Sequence, residues 1–244
     1  MRLPIVCFAC QLDGKEMTQE IKQPVKVMEV RDDGLYVTVC PSGHNVVIIL
    51  QQLKFEVLFE IGAYAIADGY YREAVSSFTS SLERFYEFVI RALLHARGVP
   101  DAEVSLAWQN IAKQSERQLG AFIALYVTEF LVPPKTLNNR QVTFRNDVIH
   151  RGIIPTREQA IRYGQEILDL IRPAMREVQR KHPDTVRKVI SDYISHAQRS
   201  HGDPNQRIST MHVSTIISLA AADPTYDERS LEDAVSTLIR WDER

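Results

Sequence analysis

Apolar residues follow two different rhythms along this chain. In residues 1–51 they fall in short runs. Val25 to Val30 is rich in β-branched residues, Arg31-Asp32-Asp33-Gly34 carries an Asp-Gly turn signal, and Leu35 to Val39 and Asn45 to Leu50 complete three predicted strands. From Leu53 onward the rhythm becomes helical. Leu53, Val57, Leu58, Ile61 and Ala65 recur at three- and four-residue steps, and Asp68-Gly69 closes that helix. Tyr71 to Arg97 predicts a long second helix whose apolar stripe is Val75, Phe78, Leu82, Phe85, Phe88, Val89 and Leu93.

Gly98-Val99-Pro100-Asp101 ends that helix, with Asp101 as the expected N-cap of the next. Residues 102–130 read as one broken helix or two, with Gly120 as a possible break, and Val132-Pro133-Pro134-Lys135 as a turn. Leu137 to Arg151 is a shorter helix ended by Gly152. Thr156 and Gln159 then form a capping box for a helix running toward Lys181. Pro173 should kink it, because the ring clashes with the carbonyl of Asp169. His182-Pro183 interrupts, a basic helix continues to about Arg199, and short helices are expected at about 209–222 and 230–241. The expected fold class is mostly α: a helical bundle over 52–182, a small β module over 1–51 and a helical extension over 183–244.

The β module has too few apolar residues to fold by burial alone, and modules of this size usually need a staple. All three cysteines of the 244-residue chain fall inside it. Cys7-x-x-Cys10 and Cys40-x-x-x-His44 offer four N/S ligands, separated by enough chain for an intervening hairpin. On facing hairpin loops these knuckles make a zinc ribbon of Cys3His type. Three buried thiols beside a surface histidine are the plain alternative. A closed four-ligand site is structural and leaves no position for substrate.

Composition narrows the function classes. At 45% hydrophobic and 25% charged, the chain is of ordinary globular type. No apolar run is long enough to span a bilayer, and the start lacks the apolar segment of a signal peptide. A cytoplasmic protein is therefore expected. The net charge of −2 excludes a global polycation, so any nucleic-acid contact must come from a local patch. Arg172, Arg176 and Arg180, four apart, are one candidate stripe within a basic stretch over 172–199; a solvated helix face is the alternative. Glycine-rich phosphate loops, His-Glu-x-x-His and nucleophile elbows are absent. His95, His182, His196, His201 and His212 read as surface or cap residues, and Ser76, Ser77, Ser80 and Ser81 as a polar stripe or helix-contact face.

The remaining chemistry is concentrated in Arg145-Asn146-Asp147-Val148-Ile149-His150. Asn146 and His150 share a helix face, while Arg145 lies about 140° around from His150. Asp147 and Arg151 are spaced for a surface ion pair. A polar helix face with a dipole-compensating C-terminal histidine would carry the same residues.

Arg145-Asn146-x-x-x-His150, followed by Gly152 and a new capped helix, resembles the signature of the HEPN family (higher eukaryotes and prokaryotes nucleotide-binding), an Arg, four to six residues, then His. Residues 53–182 resemble its helical bundle, and Glu73 to Leu94, with Glu83, its first long helices. The resemblance implies metal-independent RNA cleavage at a site formed by two copies of the motif across a homodimer. His150 would act as general acid or base, Arg145 would hold the phosphate, Asn146 would orient either, and Glu83 would pair with Arg145 across the bundle. It also implies stress, toxin or antiviral defence roles, with a regulatory protein partner possible. The rival expectations are a non-catalytic bundle binding RNA, a nucleotide or a protein, and a dimeric adaptor that uses the zinc ribbon for recognition.

Overall fold

The computed structural model describes residues 1–12, 25–201, 207–220 and 228–239. In chain order the elements are β1 (Arg2–Ile5), α1 (Phe8–Leu12), β2 (Lys26–Glu29), β3 (Leu35–Val39), β4 (Asn45–Leu50), α2 (Lys54–Ala67), α3 (Tyr71–Ala96), α4 (Asp101–Ile111), α5 (Ser115–Phe130), α6 (Asn139–His150), α7 (Arg157–Lys181), α8 (Pro183–His201), β5 (Ile208–Met211) and α9 (Leu231–Ser236). The chain is mostly helical and divides into two compact units. One comprises Met1–Gln52, Ile190–Ser214 and Ile239–Arg244; the other comprises Leu53–Val189 and Thr215–Leu238.

The first unit holds the strands. β1 and β2 pair antiparallel, with Arg2 opposite Glu29 and Ile5 opposite Lys26. β3 and β4 form an antiparallel hairpin, and β5 adds to β4 in parallel, with Val47 opposite Ile208. β4 is thus the central strand, and Val46 to Leu50 are all buried, which explains their unbroken apolar run. The short helix expected at about 209–222 is not formed. Ile208–Met211 is a strand, and the backbone that follows, as far as Ala220, is irregular. The open edge of β4 offers that stretch a ladder, and the Gln51 N–H extends the pairing to the Met211 carbonyl. Gly34 takes a φ of +62° under the Tyr193 hydroxyl, where a Cβ would collide.

In the second unit α3 is the hub. It packs against α2, α4, α5, α6 and α7, and every residue of its expected stripe is buried. Ring contacts tie the helices together: Phe55 and Phe85 lie 5.5 Å apart between centroids, Phe59 and Phe78 4.8 Å, and Tyr86 and Phe122 4.6 Å. Phe78 reaches its place because Gly62 on α2 and Gly164 on α7 leave room for the ring. Two boundaries differ from expectation. The break between α4 and α5 falls at 112–114, and Gly120 lies within α5. Pro100, not Asp101, is the N-cap residue of α4; Asp101 sits in the first turn and pairs with Lys188 at 2.9 Å. Pro173 lies inside α7, which continues past it.

α2 also presents an unexpected face. Its deepest residues are Phe55, Phe59, Ala63 and Ile66 together with Glu56 and Glu60, whereas Val57, Leu58, Ile61 and Ala65 are only half-buried. The two carboxylates are usable inside because they accept backbone N–H groups. Glu56 accepts from Leu53 and Leu219 at 2.8 and 2.9 Å, and Glu60 from Ile216 at 2.9 Å. The carbonyls of the same segment are gripped by Arg172 (Ile216, 3.2 Å) and Gln179 (Leu219, 2.8 Å). Residues 215–220 are thus held by side chains where a neighbouring strand would otherwise serve.

Burial pushes both Glu56 and Glu60 up to about 7, well above the usual carboxylate range. With the folded values above the unfolded ones, their contribution is fully present below about pH 4.5 and is lost as pH rises through about 7. The loss is at most about 3 kcal/mol per carboxyl. Thermal unfolding followed by circular dichroism should therefore show wild type losing more stability between pH 5 and 7.5 than Glu60→Gln, which keeps an acceptor for Ile216 but does not titrate. Parallel profiles for the two proteins would contradict this.

Candidate functional site

Two groups of side chains have chemical potential, one in each unit. In the first unit, Cys7 follows β1, Cys10 lies on α1, and Cys40 and His44 flank the β3–β4 turn. The first knuckle therefore sits on a strand-to-helix turn and not on the expected hairpin loop; the second does lie on a hairpin. The ligand atoms of all four residues lie within 4.8 Å of one another. Cys10 Sγ is 3.7 Å from Cys40 Sγ, and His44 Nδ1 is 3.2, 3.5 and 3.8 Å from Cys10, Cys40 and Cys7. A tetrahedron with the bond lengths usual for N/S metal ligands has edges of about 3.8 Å between sulfurs and about 3.5 Å from sulfur to nitrogen. The observed spacings match these edges and not the roughly 2 Å of a disulfide. Backbone N–H groups also turn toward the sulfurs, from Cys10 to Cys7 and from Ser42 and His44 to Cys40. Such donors support thiolate charge around a cation. The cluster fits a structural metal ion held by four protein ligands.

In the second unit, α6 opens on a capping box between Asn138 and Gln141 and ends at His150, with Gly152 at φ +73° just beyond. Only Val148 is fully buried, so α6 is held on one narrow face and leaves its polar residues near the surface. Asp147 and Arg151 form the expected ion pair at 3.0 Å. The Thr156–Gln159 capping box opens α7, as expected.

Arg145 is half-buried, and its Nε is sealed from water without a hydrogen-bond partner. It lies in the electrostatic neighbourhood of Glu83 and Tyr86 on α3 and Tyr163 on α7. Burial raises the Glu83 carboxyl above its usual range, and Arg145 and Arg84 pull it partly back. Among the described residues Glu83 and Arg145 make no ion pair within 4.0 Å, so the attraction acts across a gap. Tyr163 is pushed up to about 12, chiefly by burial, and shares a 2.9 Å hydrogen bond with Thr79. Asn146 is half-buried and His150 is exposed at the helix end, five residues beyond Arg145. Within one chain Arg145 thus acts at a distance on Glu83 and two tyrosines, while His150 is exposed at the helix end. The tyrosines were missed because nothing in their local sequence separates them from core aromatics.

The basic stripe is broken. Arg172 is buried, and its guanidinium donates to the carbonyls of Arg229 (2.7 Å) and Ile216. It cannot meet RNA together with Arg176 and Arg180. Ser81 is buried and donates to the Phe55 carbonyl at 2.6 Å, which makes that part of the serine cluster a helix contact. His182 is the C-cap residue of α7 and bonds Glu129, which Arg97 and Lys181 also reach; this joins the C-terminal ends of α3, α5 and α7. No helix among the described residues is long and apolar enough to cross a membrane. Comparisons with protein-family models, curated proteins and solved structures returned no match.

The metal reading has a direct check. Purified protein should carry one equivalent of metal by elemental analysis, and Cys10→Ser should lose it and lower the unfolding temperature. Metal-free wild type with a folded N-terminal unit would contradict the assignment.

Proposed function

We propose that the protein is a metal-independent endoribonuclease of HEPN type, acting as a homodimer, with zinc as the structural ion of its Cys3His module. The observation that carries the reading is Arg145. Its Nε is sealed without a partner, and among the described residues no hydrogen bond or ion pair engages the rest of the half-buried guanidinium, so its terminal nitrogens are left for an anion. Arg145 lies one helical turn and a residue from His150, whose imidazole can both accept and donate a proton.

In the proposed reaction the ribose 2′-oxygen attacks the adjacent phosphorus while its proton passes to one His150. A second His150, from the other subunit, gives a proton to the departing 5′-oxygen. The products are a 2′,3′-cyclic phosphate and a 5′-hydroxyl. Arg145 neutralises the charge that develops on the non-bridging oxygens. Asn146 shares the His150 face and orients it or the phosphate. Glu83 holds the guanidinium by long-range attraction without occupying its donors. The separation of Arg145 from His150 in one chain fits a site that two subunits complete. A bundle that binds RNA without cutting it would share the Arg145 geometry and make no use of His150.

His150→Ala should lower RNA cleavage by about 10²- to 10⁴-fold and Arg145→Ala by about 10²- to 10³-fold, with EDTA present and dimerisation intact. Cleavage that survives both substitutions would refute the site. Binding of RNA by wild type without any cleavage would transfer the assignment to the non-catalytic bundle.

A further inference from the structure

Beside the hexad, the N-terminal half of α6 and the first turns of α7 enclose a half-open cleft of about 210 Å³. Phe144, half-buried, and Tyr163 line it, their rings tilted at 52° with centroids 5.6 Å apart. Arg140 and Arg162 stand exposed on its rim, and neither makes a hydrogen bond or ion pair with a described residue. Glu166 and Gln159 complete the wall with an acceptor and an amide. The set combines a flat apolar surface, two unengaged guanidinium groups and a few hydrogen-bonding groups, in a space sized for one heteroaromatic ring and not for a folded peptide.

We propose that this cleft is a nucleotide subsite for single-stranded RNA, in which a base rests on Phe144 and the flanking phosphates are met by Arg140 and Arg162. The proposal rests on the ribonuclease reading and deepens it by naming where the strand is held. Aromatic faces take unpaired bases, and arginines at the rim track the backbone. The position also suits it. Residues 140–144 lie about 9–15 Å along the α6 axis from His150. That distance corresponds to about three to four nucleotides of a stacked strand. Phe144 immediately precedes Arg145 on α6, so a base held here lies close along the helix to the guanidinium proposed to hold the reactive phosphate. Glu166 keeps the cleft from being a general anion sink, and its carboxylate is placed to accept from an exocyclic amino group.

The test measures binding of a fluorescently labelled single-stranded RNA by anisotropy, in a His150→Ala background that prevents turnover. Arg140→Ala/Arg162→Ala, both at exposed positions, should weaken binding about tenfold and flatten the salt dependence by about one to two phosphate contacts. Phe144→Leu keeps an apolar side chain but removes the ring. It should weaken binding without changing the salt slope, provided its circular dichroism matches the parent protein. The same sequence annealed into a duplex should bind more weakly, since its bases are not free. Unchanged affinity and salt slope in the double arginine variant would overturn the cleft while leaving the nuclease reading intact if wild type still cleaves. Loss of affinity in that variant, with a wild type that never cleaves, would keep the cleft and overturn the nuclease. A parent protein that binds no single-stranded RNA would overturn both.

Discussion

Burial of α3 by its neighbours is the constraint on which the helical unit depends. A helix of 26 residues with Val75, Phe78, Leu82, Phe85, Phe88, Val89 and Leu93 facing inward must be covered along its length, and α2, α5, α6 and α7 do this. The cover is uneven. α7 brings ten buried residues, α6 only one. A helix with a single fully buried residue leaves its polar side chains half-buried or exposed, where most of them keep contact with water. The same packing brings Arg145 within electrostatic reach of Glu83, and the candidate residues of the hexad lie on the helix least needed by the core.

The N-terminal unit meets a different constraint. Its strands are four to six residues long, and its buried core is centred on Leu3, Ile5, Tyr36 and Val46 to Leu50. That is little apolar area for an independent unit. Two devices compensate. Four potential ligand atoms gather from the start of the chain and the β3–β4 turn, placed to share a metal ion, and β5 returns from the far end of the sequence to pair with β4. The first is visible as cysteine spacing. The second pairs strands about 160 residues apart and has no local signature.

Legibility followed the range of the interaction. The α3 stripe, the capping box of α7 and the Asp147–Arg151 pair depend on residues within a turn or two of each other, and local spacing discloses them. The Cys3His cluster was legible because few other roles bring those residues together at those spacings. α2 was misread because Glu56 and Glu60 look like surface residues until their backbone partners, some 160 residues away, are known. Arg172 was misread for the same reason; its four-residue spacing to Arg176 and Arg180 is real, but a carbonyl at Arg229 claims it. Glu83 was singled out only through resemblance, and the long-range influence of Arg145 on Glu83, Tyr86 and Tyr163 required the fold.

The account depends finally on the 2′-hydroxyl. In the proposed reaction it is the nucleophile, and its use is what would let Arg145, Asn146 and His150 cleave without a metal. The most direct measurement is therefore the fate of an RNA with a single 2′-deoxy substitution at its mapped cleavage position, incubated in EDTA with the purified protein. The account predicts that cleavage at that bond stops, while neighbouring ribonucleotide positions and the unsubstituted strand still yield 2′,3′-cyclic phosphate and 5′-hydroxyl ends. Cleavage of the deoxy-substituted bond, or a 3′-hydroxyl end at any position, would contradict it.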